Sequence, residues 1–182
     1  MARSKWISRQ LQVDRPVQFK SPFEFERGTL FDLLRESYAG LLEAKPAWAA
    51  TYEARWRQFD EEVHGQPDSI GRCVLVPCID DCPIGFVSWD PRRLPQEGRI
   101  GHNCIVPRRR RQGHGSAQIR AAVSILKDEG AQRIVVDTAS HPFFAPARMM
   151  YLACGFREIS RTQSEDFDGI ELVRYEYVDE VS

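Results

Sequence analysis

The sequence predicts one mixed α/β domain of 182 residues. Three observations predict it. Helical periodicity and short strand-like runs interleave along the chain. The segment Ile134 to Val136 is wholly apolar, as expected of a strand buried on both faces of a sheet. Between a strand-like segment and a helix-like one lies Arg110-Arg111-Gln112-Gly113-His114-Gly115-Ser116, the order of a right-handed β-α-β crossover. The predicted domain spans 1–182, with 1–15 as a flexible leader.

The elements follow in order. Val17 to Phe25 reads as one short strand, with Pro16 and Pro22 as breakers. Thr29 is suited to cap a helix in which Leu30, Leu33, Leu34, Tyr38 and Leu41 recur at helical spacing, with Gly40 weakening its far end. Pro46 suits the first turn of a second helix, on which Trp48, Tyr52, Trp56, Phe59 and Val63 form one stripe. Arg72 to Ile79 and Ile84 to Trp89 read as a hairpin turned at Asp80-Asp81. Asp90 to Gly98 reads as a loop, and Arg99 to Val106 as a strand with Ile100, His102, Cys104 and Val106 on one face. Ile119, Ala122, Val123 and Leu126 mark a helix closed by Gly130. Ala147 to Ala153 reads as a last helix, stopped by Gly155, and Phe156 to Arg161 and Ile170 to Val178 as closing strands.

Composition bounds the function. Net charge is −1, from 25 basic and 26 acidic residues, so there is no global signature of a nucleic-acid partner. No apolar run reaches membrane-spanning length and the N-terminal segment lacks an apolar core, so a cytoplasmic protein without membrane contact is expected. Five cysteines make an odd count without disulfide density; reduced thiols and no metal site are expected.

The arginine and glycine run carries the chemistry. A helix's first turn exposes N–H groups without intrahelical partners, and its dipole favours negative charge. Glycines let an anion reach the backbone, so a phosphorylated ligand is expected here.

Arg110-x-x-Gly113-x-Gly115 resembles the Gln/Arg-x-x-Gly-x-Gly/Ala signature of the GNAT superfamily of N-acetyltransferases. Ala147-x-x-Met150-Tyr151-x-x-x-Gly155-Phe156 is similar to a second block of that family. The block's usual asparagine falls at Phe144, so that its side-chain contact is either missing or supplied by Ser140 or His141. The resemblance implies a mostly antiparallel central sheet with two splayed parallel strands and flanking helices. It implies acetyl-CoA as co-substrate. The pyrophosphate would lie on Arg110, Arg111, Gln112, Gly113, His114, Gly115 and Ser116, and the pantetheine arm would pair with the backbone of Cys104, Ile105 and Val106. Tyr151 would be the general acid, touching the coenzyme's sulfur end. A backbone N–H near Cys104 or Ile105 would stabilise the oxyanion. His102, with a titration range suited to a base, and Asn103, able to orient a water or the acceptor, complete the catalytic set; His141 is a second candidate base.

The acceptor is expected to be a small cationic amine, met by Trp48, Tyr52 and Trp56 and by Glu53, Asp60, Glu61, Glu62 and Asp90. A protein N-terminus or lysine is the alternative acceptor. The rival reading is a dinucleotide-binding domain with Asp137 on a ribose, although Gln118 stands where the third glycine belongs. Some relatives in the family dimerise through their last strands, and Ile170 to Val178 is apolar enough to allow a homodimer as well as a monomer.

Overall fold

A computed structural model describes residues 17–178; the expected leader lies outside the described residues. The chain forms β1 (Gln18–Lys20), α1 (Thr29–Ala44), α2 (Ala49–Gly65), β2 (Val74–Ile79), β3 (Cys82–Pro83), β4 (Gly85–Arg93), β5 (Glu97–Ile105), α3 (His114–Asp128), β6 (Ile134–Ala139), α4 (Ala145–Ala153), β7 (Phe156–Gln163) and β8 (Glu171–Tyr177). The sheet order is β1-β2-β4-β5-β6-β8-β7, with β3 pairing β2. β5 and β6 are parallel, and the neighbouring pairs β4/β5 and β6/β8 are antiparallel. The mixed α/β architecture with one parallel pair is the one expected. Among the described residues, no helix is long and apolar enough to cross a membrane.

Each face of the sheet has its own core. Ile119, Ala122, Val123 and Leu126 of α3 join Tyr151 of α4 and Cys154 at its end against Val87, Trp89 and Ile100. On the other face, Leu30, Leu33 and Leu34 of α1 and Trp56 and Val63 of α2 pack on Val74, Phe86, Cys104 and Val106.

Three departures from the sequence reading have physical causes. The first strand is shorter than expected, because Ser21 and Glu24 form a capping box on a 3-10 turn over Pro22–Glu24. The loop expected over residues 90–98 is mostly strand: Arg93 pairs with Glu97 across a tight hairpin, and the buried Glu97 carboxylate receives Arg93 at 3.2 Å and Arg99 at 3.1 Å. Charge pairing within the strands hides their apolar pattern. Thr29 does not cap α1. Gly28 holds the cap position with φ 93° and no side-chain bond of its own. The carboxylate of Asp60, from α2, takes the N–H groups of Gly28 at 2.7 Å, Leu30 at 3.0 Å and Phe31 at 3.4 Å instead. α1 then runs through Gly40 to Ala44 because Leu41 is buried beneath it.

Candidate active site

The site begins where β5 and β6 part. Their register runs Gly98 to Ile134, Arg99 to Val135 and Ile100 to Val136, and stops there. β5 continues to Ile105 beside β4 alone, while β6 continues to Ala139 beside β8 alone. A bulge sits at the same point: β4 pairs Val87 with Asn103 and Trp89 with Ile100, so Ser88 opposes both Gly101 and His102. The Ser88 hydroxyl donates to the His102 carbonyl at 3.1 Å. This bulge reverses the alternation expected for β5. Ile100 belongs to the α3/α4 core, whereas Cys104 and Val106 belong to the α1/α2 core. His102 therefore faces α2, with Phe59 edge-on at 4.8 Å, and Asn103 faces α4.

Between the separated strands and the start of α3 lies a cavity of about 410 Å³. It is lined by Asn103, Cys104, Ile105, Arg110, Arg111, Gly113, Gly115 and Ser116, which are among the residues expected, and by Tyr38, Gln118, Phe143, Phe144, Pro146, Ala147 and Met150. Val106, Gln112, His114, His102 and Tyr151 are not lining residues.

The backbone of β5 offers less than expected. The Val106 N–H donates to the Ile84 carbonyl at 2.9 Å, toward β4. Strand alternation turns the Cys104 groups the same way, leaving those of Asn103 and Ile105 on the open side. The Ile105 carbonyl already accepts from Arg110 Nε at 2.9 Å.

The loop is built from two unequal glycines. Gly113, with φ 82°, forms the left-handed cap that opens α3. Gly115 packs closely under α4: a Cβ there would lie 2.8 Å from Met150 Sδ, which a shift of that flexible side chain could accommodate. Arg111 takes φ 60° between them and β5. Arg110 spends two donors on carbonyls, Nε on Ile105 and Nη2 on Ser37 at 2.5 Å, so it ties the loop to β5 and to α1. Arg108 pairs with Glu36 of α1. His114 Nε2 lies 3.3 Å from Gln112 Oε1.

Tyr151 is 2% exposed, and its hydroxyl sits 3.0 Å from Asn103 Nδ2. Burial pushes the Tyr151 phenol up to about 12, against the opposing pull of the Asn103 hydrogen bond. His102 differs from expectation in titration. Burial, then the nearby Arg55 charge, pushes its pKa down to about 4, so the ring is neutral at pH 7 and weakly basic. His141 accepts from the Phe143 N–H at Nδ1, 3.2 Å away, and so caps the turn before α4. Ser140 Oγ accepts from the Glu171 N–H at 2.9 Å. Burial pushes the Cys104 thiol up to about 12, which leaves no thiolate nucleophile near neutrality.

Four of the five carboxylates expected to greet an amine have other partners; the fifth, Glu61, is exposed. Asp60 caps α1, Glu53 pairs with Arg35 at 3.6 Å, Glu62 accepts from Gln58 and Asp90 holds Arg92. The aromatics do converge. Tyr38, which lines the cavity, contacts Tyr52, Trp56, Phe143 and Phe144. Phe167 stacks on Tyr52 at 5.2 Å and lies 4.5 Å from Trp48, and Arg55 grips Asp166 beside it. Among the described residues, no group of three His, Cys, Asp or Glu could hold a metal ion.

Asp137, the residue a ribose would need, is bound by Arg174 at 2.7 and 3.0 Å. Sequence reasoning missed Tyr38 and Gln118 as lining residues. Tyr38 was absorbed into a helical stripe. Gln118 gave a readable signal, a polar residue inside the apolar face of α3.

Comparison with known proteins agrees with this geometry. The family model for the acetyltransferase (GNAT) family matches residues 28–156. No curated protein matches the chain in sequence. A GNAT-family protein from Desulfovibrio desulfuricans superposes with TM-score 0.70 at 16% identity, over 88% of this chain and 98% of that one. The PaiA N-acetyltransferase of Thermoplasma acidophilum, solved with coenzyme A, gives 0.66 at 19% identity, over 90% and 99%. An aminoglycoside 6′-N-acetyltransferase, also with coenzyme A, gives 0.63 at 15% identity, over 87% and 95%. At these identities the likeness speaks for the fold.

Proposed function

The chain belongs to the GNAT acetyltransferase family, and from that premise we propose that it transfers the acetyl group of acetyl-CoA to a small amine in the cavity between β5, α3 and α4. One observation carries this reading. The two parallel strands separate at Ile100 and Val136, and the cavity beyond is lined both by the open β5 edge and by the Gly113 cap of α3.

The residues present suit an acyl-CoA. The first turn of α3 and the left-handed Gly113 turn N–H groups toward an anion, with Arg111 beside them. Arg110 shapes that cradle through its carbonyl bonds more than it donates to phosphate. The open groups of Asn103 and Ile105 suit an amide-bearing arm, and the apolar wall of Phe144, Pro146 and Ala147 suits its methylenes.

Acetyl-CoA supplies a thioester that an amine nitrogen can displace. The reaction needs a neutral nitrogen, an oxyanion donor and a proton for the departing thiolate. The Asn103 N–H, on the open side of β5 and on the residue that holds the Tyr151 hydroxyl, is the oxyanion donor. Tyr151 keeps its proton throughout the neutral range, and the Asn103 amide fixes its hydroxyl at 3.0 Å. We assign Tyr151 as the proton donor and Asn103 as the group that orients it. His102 stands on the α2 face as a proton acceptor of low basicity.

The acceptor is a small amine, cationic in solution. With Asp60, Glu53, Glu62 and Asp90 committed elsewhere, the ring of Tyr38, which lines the cavity, takes its cationic form. The test is acetyl-CoA turnover against small amines, peptides with free N-termini and lysine peptides. Turnover of small amines is expected, and turnover of peptides alone would overturn the acceptor assignment. Tyr151→Phe should lower kcat about 100-fold with KM for acetyl-CoA nearly unchanged. An unchanged kcat removes Tyr151 from its role.

A further inference from the structure

Four buried side-chain atoms lack a hydrogen-bond partner among the described residues: Ser37 Oγ, His64 Nε2, Trp89 Nε1 and Gln118 Oε1. Gln118 alone of these residues lines the cavity. It is 1% exposed and sits on the second turn of α3, among Ile119, Ala122 and Val123. An apolar residue there would fill the same space with no polar atom to satisfy. A buried amide with an orphan acceptor costs free energy that a ligand donor can recover.

Its orientation is fixed. Gln118 Nε2 donates to the Cys104 carbonyl at 3.4 Å. The opposite amide assignment would set two oxygens against each other. Oε1 is therefore the atom left without a protein donor. Asn103 and Ile105 line the same cavity, with their backbone groups on the open side of β5. A ligand lying along that edge shares the cavity with Gln118.

We infer that Gln118 is a coenzyme-binding residue whose Oε1 accepts a hydrogen bond from an amide N–H of the pantetheine arm of coenzyme A. The assignment rests on the acetyl-CoA reading above. The chemistry fits that arm, which carries amide donors midway between its phosphates and its sulfur. The arginines and the Gly113 cap serve the phosphate end. Gln118 reads the arm, so it separates an acyl-CoA from a nucleotide that ends at the phosphates.

The experiment is calorimetric titration of the full chain with coenzyme A and with adenosine 3′,5′-bisphosphate, which lacks the arm. Gln118→Met preserves volume and removes the acceptor. Its affinity for coenzyme A should fall about tenfold, while its affinity for the bisphosphate stays within twofold of the unaltered protein. Its ligand-free melting temperature should be equal or higher, because the orphan acceptor is gone. A purely structural glutamine gives the opposite pattern, a lower melting temperature with unchanged coenzyme affinity, and that overturns the assignment. Should the substituted chain fail to fold, nuclear magnetic resonance of the unaltered protein decides. The Gln118 side-chain amide signals should move with coenzyme A and stay put with the bisphosphate; equal shifts or none overturn the proposal. Failure of the unaltered protein to bind coenzyme A at all overturns the acetyl-CoA reading together with this one.

Discussion

Replacing Asp60 by alanine should destabilise the protein by about 3 kcal/mol, although Asp60 does not line the cavity. Its carboxylate lies 2.7 Å from the Gly28 nitrogen and 3.0 Å from that of Leu30, with Phe31 at 3.4 Å. Two short bonds to a charged acceptor contribute about 1.5 kcal/mol each, and a negative charge at a helix N-terminus adds about 0.5 kcal/mol. The long third bond adds little. Asp60 is 4% exposed, so water replaces it poorly. With a urea m-value of about 2 kcal/mol/M, the midpoint should fall by about 1.5 M with the slope unchanged. Asp60→Asn keeps the shape and loses the charge, and should cost about half as much. Glu61→Ala, an exposed neighbour, should stay within about 0.5 kcal/mol. The consequence reaches the site, because α1 carries Tyr38 and the Ser37 carbonyl that anchors Arg110. A loss below about 1 kcal/mol for the alanine variant would refute the capping argument.

Other outcomes follow from the same geometry. Arg110→Lys keeps the charge but cannot reach the Ile105 and Ser37 carbonyls together; urea unfolding should show a loss of about 2 kcal/mol, and wild-type stability would mean the charge alone matters. His102 titrates at about 4 when folded against an ordinary 6.5, so the unfolded chain binds the extra proton between those values. Stability should therefore fall as pH drops from 6.5 to 4, and His102→Gln should flatten the curve in that window by at most about 3 kcal/mol. Parallel curves for the two proteins would contradict the buried neutral ring. Gly113→Ala places a side chain at φ 82° and should cost about 1–2 kcal/mol in thermal unfolding, with weaker coenzyme binding; a neutral effect would mean the cap can relax.

The sequence made the broad plan legible where one signal dominates. Ile119, Ala122, Val123 and Leu126 fix α3, and Ile134 to Val136 fix a buried strand. The Gly113 loop falls just before α3 and lines the cavity. Other features depend on partners far along the chain. Nothing near Thr29 announces that Asp60 caps α1. The arginines and acids of residues 90–99 read as a loop because their charges neutralise each other only once the hairpin has formed. The bulge opposite Ser88 shifts β5 by one residue, which moves Ile100 to the opposite face from Cys104. Strict alternation cannot show such a shift. The carboxylates on α2 looked available to an amine because a helix face displays them, yet Asp60 and Glu53 are held by α1. Gln118 was the opposite case, a visible polar residue in an apolar stripe whose meaning required the cavity beside it.

The central claim is that this cavity binds an acyl-CoA. Thermal unfolding with acetyl-CoA at about 100 times its dissociation constant should show a stabilisation of about 2.7 kcal/mol, a rise of roughly 5–10 °C for a chain of this size. NAD at the same concentration should leave the melting temperature unchanged. A rise with NAD and none with acetyl-CoA would contradict the account.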